Sequence, residues 1–233
     1  MVRALSAPAR PLPPARFRCV WQPRPPAATW QWCRVYHRGP HTPDGATFRS
    51  FGPLHRFDHH HAAVPPCEDE SGREILYVGE DLATSACEVF GEAGVAAICP
   101  NYRVSILAPT RTVSLFDLTA PGAAMTIGAL PSLAAGNETR TLTQQWARAI
   151  YEDKPAGRAI YGVRYLSAYN SGYALALWDC ADRVETVSDS GGAVQDLPLA
   201  DPRILNRLQV QLRQRRIAVT TVAESDCAVC RRN

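Results

Sequence analysis

The sequence predicts an α+β fold in a single domain, and three observations support this fold class. Short runs rich in β-branched and aromatic residues, which are typical of strands, recur along the 233 residues. Segments with apolar residues at helical spacing lie between some of these runs. Other neighbouring runs are joined by turns too short to hold a helix, which favours antiparallel pairing over an alternating βαβ order.

The N-terminal segment, residues 1–28, is rich in proline, alanine and arginine and shows no periodicity. Because this composition offers little apolar surface to bury, we expect a flexible leader over residues 1–29. Its deletion is then expected to leave stability and activity unchanged. A basic arm for nucleic acid or a transit peptide is the alternative interpretation. The folded domain is expected to span residues 30–224 and to begin with a strand from Trp30 to Tyr36.

In the middle of the chain, a predicted strand over Ile75–Val78 leads through Gly79 into a helix that ends near Gly91. Asp81 is a suitable N-cap for this helix. The apolar residues of the helix form one stripe, and Glu88 lies about 120° away from that stripe at 3.6 residues per turn. We therefore expect Glu88 to face solvent or a cleft rather than the core.

The other strands and helices are predicted in the same way, from runs of strand-forming residues and from apolar residues at helical spacing. Strands are predicted over residues 104–107, 112–118, 162–169, 172–179, 184–187 and 217–222. Helices are predicted over residues 142–153 and after the cap Asp201, and one short helix is predicted within 119–139. Residues 225–233 are expected to form a flexible tail. No internal repeat is present, so a single domain remains the prediction.

Composition and charge exclude several classes of function. No apolar stretch approaches the roughly 18 residues that a membrane-spanning helix needs, and the proline-rich start lacks the apolar core of a signal peptide. The net charge is +3, but residues 1–43 hold seven arginines and no acid, so the rest of the chain is mildly acidic. We therefore expect no direct binding to nucleic acid. Eight cysteines at irregular spacing predict a reduced, cytoplasmic protein rather than a disulfide scaffold.

Two groups of metal-ligating residue types are interpreted as ordinary surface features. Cys227 and Cys230 form half of a zinc motif, but no second pair at suitable spacing accompanies them, so an unstructured tail with two free thiols is expected. The consecutive His59, His60 and His61 are expected in a solvated loop. The sequence thus predicts no metal site.

Five segments in a fixed order carry the functional signal: Cys33–Tyr36, His55–Asp58, Ile75–Gly79, Ala83–Phe90 and Gly162–Ser167. In this order they resemble the RES-domain family, named for Arg, Glu and Ser residues spread along the domain. The resemblance implies an ADP-ribosyltransferase-like fold, with a central, mostly antiparallel split sheet flanked by helices. It also implies a cleft that binds and degrades NAD. Many family members are toxins of bacterial type II toxin–antitoxin pairs, in which an antitoxin covers the cleft.

The resemblance assigns the site residues one by one. The catalytic residues would be Glu88, Arg56 and Ser167, and the NAD-binding residues would be Arg34, Tyr36, Arg56, Tyr77 and Ser167. These residue types suit the chemistry, because planar arginine forks bind a pyrophosphate and a fixed carboxylate stabilises the oxocarbenium character of a breaking glycosidic bond. A tyrosine ring can face the nicotinamide, and a serine can hydrogen-bond to the ribose or the amide.

Each of these residues also has an ordinary interpretation. Glu88 could be a solvated carboxylate, Tyr77 a sheet-face aromatic, and Arg56 a partner of Asp58. The region His59–Glu74 is an insertion relative to compact family members, and it adjoins the expected cleft.

The predicted activity is cleavage of the nicotinamide–ribose bond, with NAD as substrate, no cofactor, and either water or inorganic phosphate as acceptor. The alternatives are mono-ADP-ribosylation of protein or nucleic acid, and a non-enzymatic binding protein of the same fold.

Overall fold

The computed structural model describes residues 4–23, 32–136 and 138–232. The strands are β1 (Arg18–Trp21), β2 (Trp32–His37), β3 (Phe51–Gly52), β4 (Cys67–Glu68), β5 (Ile75–Gly79), β6 (Val95–Ile98), β7 (Tyr102–Pro109), β8 (Val113–Asp117), β9 (Gly162–Leu166), β10 (Tyr173–Trp178), β11 (Val184–Thr186), β12 (Asp196–Pro198) and β13 (Ala218–Thr221). The helices are α1 (Leu82–Phe90), α2 (Ala123–Thr126), α3 (Ser132–Ala135), α4 (Arg140–Asp153) and α5 (Pro202–Arg213). No helix within these described ranges is long and apolar enough to cross a membrane.

Nine strands form a central sheet in the order β1-β8-β9-β10-β5-β2-β7-β11, and β12 also pairs with β7. The pairs are antiparallel except for β8 with β9. The remaining strands form two small sheets, β13 with β6 and β3 with β4. The predicted α+β class with a mostly antiparallel sheet is confirmed.

The central sheet is split between β5 and β2. Each of these strands pairs along most of its length with its other neighbour, β10 or β7. With each other they share only one register pair, Cys33 opposite Gly79. Beyond that pair the two strands are not bonded to each other, and a cleft occupies the space.

Helix α1 begins directly beside this split. The Asp81 side chain accepts a hydrogen bond from the Thr84 N–H at 2.7 Å, which confirms the predicted N-cap. A Cβ atom at Gly79 would lie 2.7 Å from the Ser85 nitrogen, so the close approach of β5 to α1 requires glycine there. The strand, its glycine and the cap therefore fix the helix that carries Glu88.

Most of the other predicted strands and helices are present, with small shifts at their ends. Two short helices, α2 and α3, occupy the region where one was predicted. The strand β6 was not predicted, since it has only four residues and follows a glycine-containing turn. Its partner is β13, which therefore lies in a separate parallel pair rather than at an edge of the central sheet.

Residues 4–23 pack against the domain, so the prediction of a leader without packing partners is wrong. Strand β1 pairs with β8 along its full length. Leu5, Leu12 and Ala15 are buried in the apolar cluster that also contains much of α4. The composition does not reveal this because a few scattered side chains supply the buried surface. The predicted start of the first strand lies within residues 24–31, outside the described residues.

Polar contacts fix the same N-terminal segment to α4. The Trp146 indole N–H donates to the Ser6 carbonyl at 2.9 Å, and Asp153 accepts from the Leu12 N–H at 2.9 Å. The Arg10 guanidinium forms an ion pair with Asp153. These partners are about 140 positions apart in the chain, so no local pattern could indicate them.

Two further expectations differ from the structure. His59 and His60 are buried rather than solvated, and the His59 imidazole lies 3.2 Å from the Asp179 carboxylate. The C-terminal tail also packs on the domain: Cys227 is 3% exposed and belongs to the apolar cluster around α5. Burial of these side chains depends on partners far away in the chain, which spacing alone does not indicate.

Candidate active site

The cleft between β2 and β5 has a volume of about 780 Å³. This lies within the range of roughly 300–1,000 Å³ that is typical of ligand pockets. Both strands, α1, and the loops before β5 and α4 contribute to its lining. Five of the six predicted site residues line it: Arg34, Tyr36, Arg56, Tyr77 and Glu88.

Glu88 presents its carboxylate to the cleft from the last turn of α1. The Tyr165 hydroxyl donates to Oε2 of Glu88 at 3.1 Å. The other oxygen, Oε1, is buried and has no hydrogen-bond partner among the described residues. A buried carboxylate oxygen without a partner is costly unless a ligand or water satisfies it. Glu88 is therefore held by one oxygen while the other can accept a hydrogen bond from a ligand.

Tyr165 connects the carboxylate to Arg56. Burial and the nearby Glu88 charge raise the pKa of Tyr165 well above 10, so its hydroxyl stays protonated and donates. The Arg56 guanidinium lies over the Tyr165 ring at 5.2 Å and over the Phe57 ring at 5.0 Å. Tyr165 lies in the segment Gly162–Ser167, but the resemblance does not assign it to the site.

The arginines of the cleft are only partly satisfied. Arg56 donates at 3.4–3.5 Å to the carbonyls of Leu133 and Leu166, and its Nε is buried without a partner. Arg34 donates to two loop carbonyls at 2.8 Å. Within the described ranges neither guanidinium forms an ion pair. Burial lowers the pKa of Arg34 to about 10, so Arg34 remains charged at neutral pH. Arg34 and Arg56 thus line the cleft without anionic partners among the described residues.

Asp58 organises the loop that carries Arg56, but it does not pair with Arg56. The Asp58 carboxylate lies 2.7 Å from Arg49 and accepts from the Tyr77 hydroxyl at 2.8 Å. Burial opposes the charge of Asp58, but Arg49 and backbone N–H donors, including that of Leu54, hold its pKa below the usual value. The alternative pairing of Arg56 with Asp58 is therefore not observed, and Arg56 is left for a ligand.

Tyr77 lines the cleft with its hydroxyl fixed at the far end. The hydroxyl donates to Asp58 and accepts from the Phe57 N–H at 3.0 Å. The His55 ring meets the Tyr77 ring edge-on, with 5.6 Å between centroids. Because the polar end is occupied, Tyr77 can offer only its ring to a ligand.

Ser167 lies outside the cleft lining, and the Tyr36 hydroxyl is bonded within the protein. Ser167 is 1% exposed and does not line the cleft, and its Oγ accepts from the Tyr169 N–H at 3.3 Å. Ser85 lines the cleft instead, accepting from the Val35 N–H at 2.6 Å. The Tyr36 hydroxyl donates to the Asp196 carboxylate at 3.0 Å. The geometry thus gives Ser167 a turn-forming contact beside the cleft.

Arg140 and Tyr169 are cleft residues outside the predicted set. Arg140 lines the cleft at the start of α4, and Tyr169 lines it from the turn after β9. The Tyr169 ring lies against the end of α1, where a Cβ atom at Gly91 would meet it at 2.2 Å. The sequence places Gly91 at the end of this helix, and only the fold shows which ring it accommodates.

Comparisons with known proteins give one family and one solved structure. The model of the family described as "RES domain" matches residues 32–201. Among solved structures, a chain of the M. tuberculosis MbcT–MbcA toxin–antitoxin complex is 18% identical, with a TM-score of 0.47 over 78% of this chain and 90% of that chain. No curated protein matches the chain.

Proposed function

The chain belongs to the RES-domain family, and from this membership and the chemistry of the cleft we propose that it cleaves the nicotinamide–ribose bond of NAD. The observation that carries the proposal is the Glu88 carboxylate, with one oxygen held by Tyr165 and the other buried without a partner. Arg34 and Arg56, which form no ion pair within the described part of the chain, line the same cleft.

Binding of NAD would use Arg34 and Arg56. The pyrophosphate of NAD carries two negative charges, and guanidinium groups bind such oxyanions with paired N–H donors. Arg56 suits this role because its bonds to two carbonyls are long and its Nε is free. The Tyr77 ring would flank the nicotinamide, while Tyr36 and Ser167 would support the walls of the site through their own hydrogen bonds.

The proposed reaction breaks the bond between C1″ of the ribose and the nicotinamide nitrogen. The bonding electron pair leaves with nicotinamide, which departs neutral because it is cationic in NAD, so no general acid is required. The ribose gains oxocarbenium character, which the Glu88 carboxylate would stabilise while its free oxygen holds a ribose hydroxyl. Water then adds to C1″ and releases a proton, giving ADP-ribose, or inorganic phosphate adds and gives the 1″-phosphate.

We further propose that the chain is the toxin of a bacterial toxin–antitoxin pair, acting on cytoplasmic NAD and inhibited by a protein that covers the cleft. Two apolar side chains at the cleft support a covering partner. Val89 is 39% exposed and Tyr169 is 41% exposed, and both line the opening. A protein that covers the cleft would bury both side chains.

The reaction class can be tested with NAD labelled in its adenosine moiety, added proteins and nucleic acids, and buffers with and without phosphate. We expect the label in small molecules only. ADP-ribose in both buffers would identify a hydrolase, and the 1″-phosphate in phosphate buffer would identify a phosphorylase. Label on macromolecules would contradict the proposal and favour ADP-ribosyl transfer.

Arg56→Ala is expected to lower kcat/KM for NAD by about 10- to 100-fold, because a hydrogen bond to a charged group contributes about 1.5–3 kcal/mol. The main change should be in KM if Arg56 binds the pyrophosphate in both ground and transition states. Steady-state kinetics measure this directly. Arg158→Ala, at an exposed arginine outside the cleft, is the matched control. Equal kinetics for both variants would remove Arg56 from the site.

Tyr165→Phe is expected to lower kcat by about tenfold, because it removes the hydrogen bond that orients Glu88. The phenyl ring that remains can still stack under Arg56, so KM should change little. Tyr173→Phe on the neighbouring strand β10 is the control, since Tyr173 does not line the cleft. A normal kcat for Tyr165→Phe would show that the hydrogen bond to Glu88 has no role in turnover.

A further inference from the structure

Outside the residues that line the cleft, four side chains with metal-ligating atoms converge where the C-terminal segment packs on the domain. They are His37 at the end of β2, Cys99 directly after β6, and Cys227 and Cys230 near the C-terminus. Their four ligand atoms all lie within 4.8 Å of one another. His37 and Cys99 thus supply the second pair of metal-ligating side chains beside Cys227 and Cys230, which the sequence spacing did not reveal.

Four of the six distances between ligand atoms lie within about 0.4 Å of the edges of a tetrahedron around zinc. Bond lengths of about 2.3 Å for Zn–S and about 2.0–2.1 Å for Zn–N give edges of about 3.8 Å between sulfurs and about 3.5 Å between nitrogen and sulfur. The Cys99 and Cys230 sulfurs are 3.6 Å apart. His37 Nε2 lies 3.1 Å from Cys230, 3.5 Å from Cys99 and 3.9 Å from Cys227. With all four atoms within 4.8 Å of one another, they are close enough to bind the same ion.

Hydrogen-bond donors surround the sulfurs as they do around metal-bound thiolates. The backbone N–H groups of Val229 and Cys230 donate to the Cys227 sulfur. Asn101 donates to Cys99 from its backbone and to Cys230 from its side-chain amide, the latter at 3.5 Å. Donors of this kind stabilise negative charge on sulfur and orient the ligand.

The surroundings favour a structural site. Cys99 and Cys227 are buried in the apolar cluster around α5. The His37 ring meets the Tyr102 ring edge-on, with 5.0 Å between centroids and 88° between planes, which fixes the direction of Nε2. Four protein ligands leave no open position for a substrate, and closed sets of this composition hold structural zinc.

We propose that His37, Cys99, Cys227 and Cys230 bind one zinc ion in a Cys₃His site. On binding, the three thiols lose their protons to solvent and the imidazole stays neutral, so the site carries one net negative charge. A tetrahedral set of three sulfurs and one nitrogen favours zinc over the oxygen-seeking cations. The ion joins strand β2, the end of β6 and the C-terminal turns, and it holds together residues up to 193 positions apart.

Metal analysis of the full-length chain, purified without chelator from zinc-containing medium, tests the proposal without any variant. We expect about one zinc per chain. After replacement of zinc by cobalt, we expect the visible d–d and thiolate-to-cobalt bands of a tetrahedral thiolate site. Zinc far below one per chain, iron in its place, or a Cys99–Cys230 disulfide found by mass spectrometry would each overturn the assignment.

The double variant Cys227→Ser/Cys230→Ser assigns the ligands. It should lose the bound zinc and the cobalt spectrum, and melt at a lower temperature than the wild type. Cys67→Ser, at an exposed cysteine on β4, is the matched control and should retain both. Zinc retained at one per chain by the folded double variant would contradict the proposal. If the double variant does not fold, the number of zinc ions per wild-type chain and the spectrum of its cobalt form decide whether the proposed site exists.

Discussion

Glu88→Gln should lower NAD turnover by about 10²–10³-fold, the usual cost of removing one preorganised electrostatic contact to a developing charge. The amide keeps the size of the side chain and can still accept from Tyr165. It lacks the negative charge that would face the oxocarbenium carbon. Turnover is measured as NAD consumed by the purified variant and the wild type under identical conditions.

The same substitution should leave the fold intact. Glu88 is only partly buried and forms no ion pair within the described part of the chain. The melting temperature of the Glu88→Gln protein should therefore stay close to that of the wild type. Growth toxicity on expression should disappear with turnover. Glu185→Gln on β11, exposed and outside the cleft, serves as control. A folded Glu88→Gln protein with wild-type turnover would remove Glu88 from the mechanism.

Removal of residues 1–23 should destabilise the domain strongly, with a fall in melting temperature on the order of 10 °C or more. The deletion uncovers the apolar surface under Leu5 and Leu12 and leaves the buried Trp146 indole N–H without its acceptor. It also turns β8 into an exposed edge strand. Thermal unfolding followed by circular dichroism measures the effect.

A point substitution tests the same packing without shortening the chain. Leu12→Ala should cost about 2–5 kcal/mol of unfolding free energy, the usual range for truncating a buried leucine. Arg16→Ala, at an exposed residue of the same segment, should stay within about 0.5 kcal/mol of the wild type. Equal stability of the two variants would mean that the segment does not pack in solution.

The centre of the site was predictable because its signals are local. The glycine that ends β5, the Asp81 cap and the angle of Glu88 from the apolar stripe all lie within about three helical turns. Together they place a strand, a helix and one outward carboxylate without any knowledge of the rest of the fold. The resemblance added Arg34 and Arg56, which line the same cleft, and their role in binding NAD stays a prediction.

The contacts that sequence reasoning missed are all long-range. The N-terminal segment is fixed by residues about 140 positions away. Cys230 meets His37 across 193 positions. Strand β6 is too short to stand out, and its partner β13 lies near the other end of the chain. Composition and spacing carry no information on such pairs, because burial is decided by which segments the fold brings together.

Release of nicotinamide from NAD by the purified wild-type chain, followed by liquid chromatography in the absence of any antitoxin, tests the central claim most directly. We expect far more than one molecule of nicotinamide to be released per protein molecule. We also expect the Glu88→Gln protein to release much less nicotinamide than the wild type. NAD that remains intact after long incubation with folded protein, in buffers with and without phosphate, would contradict the assignment of this cleft as an NAD-cleaving site.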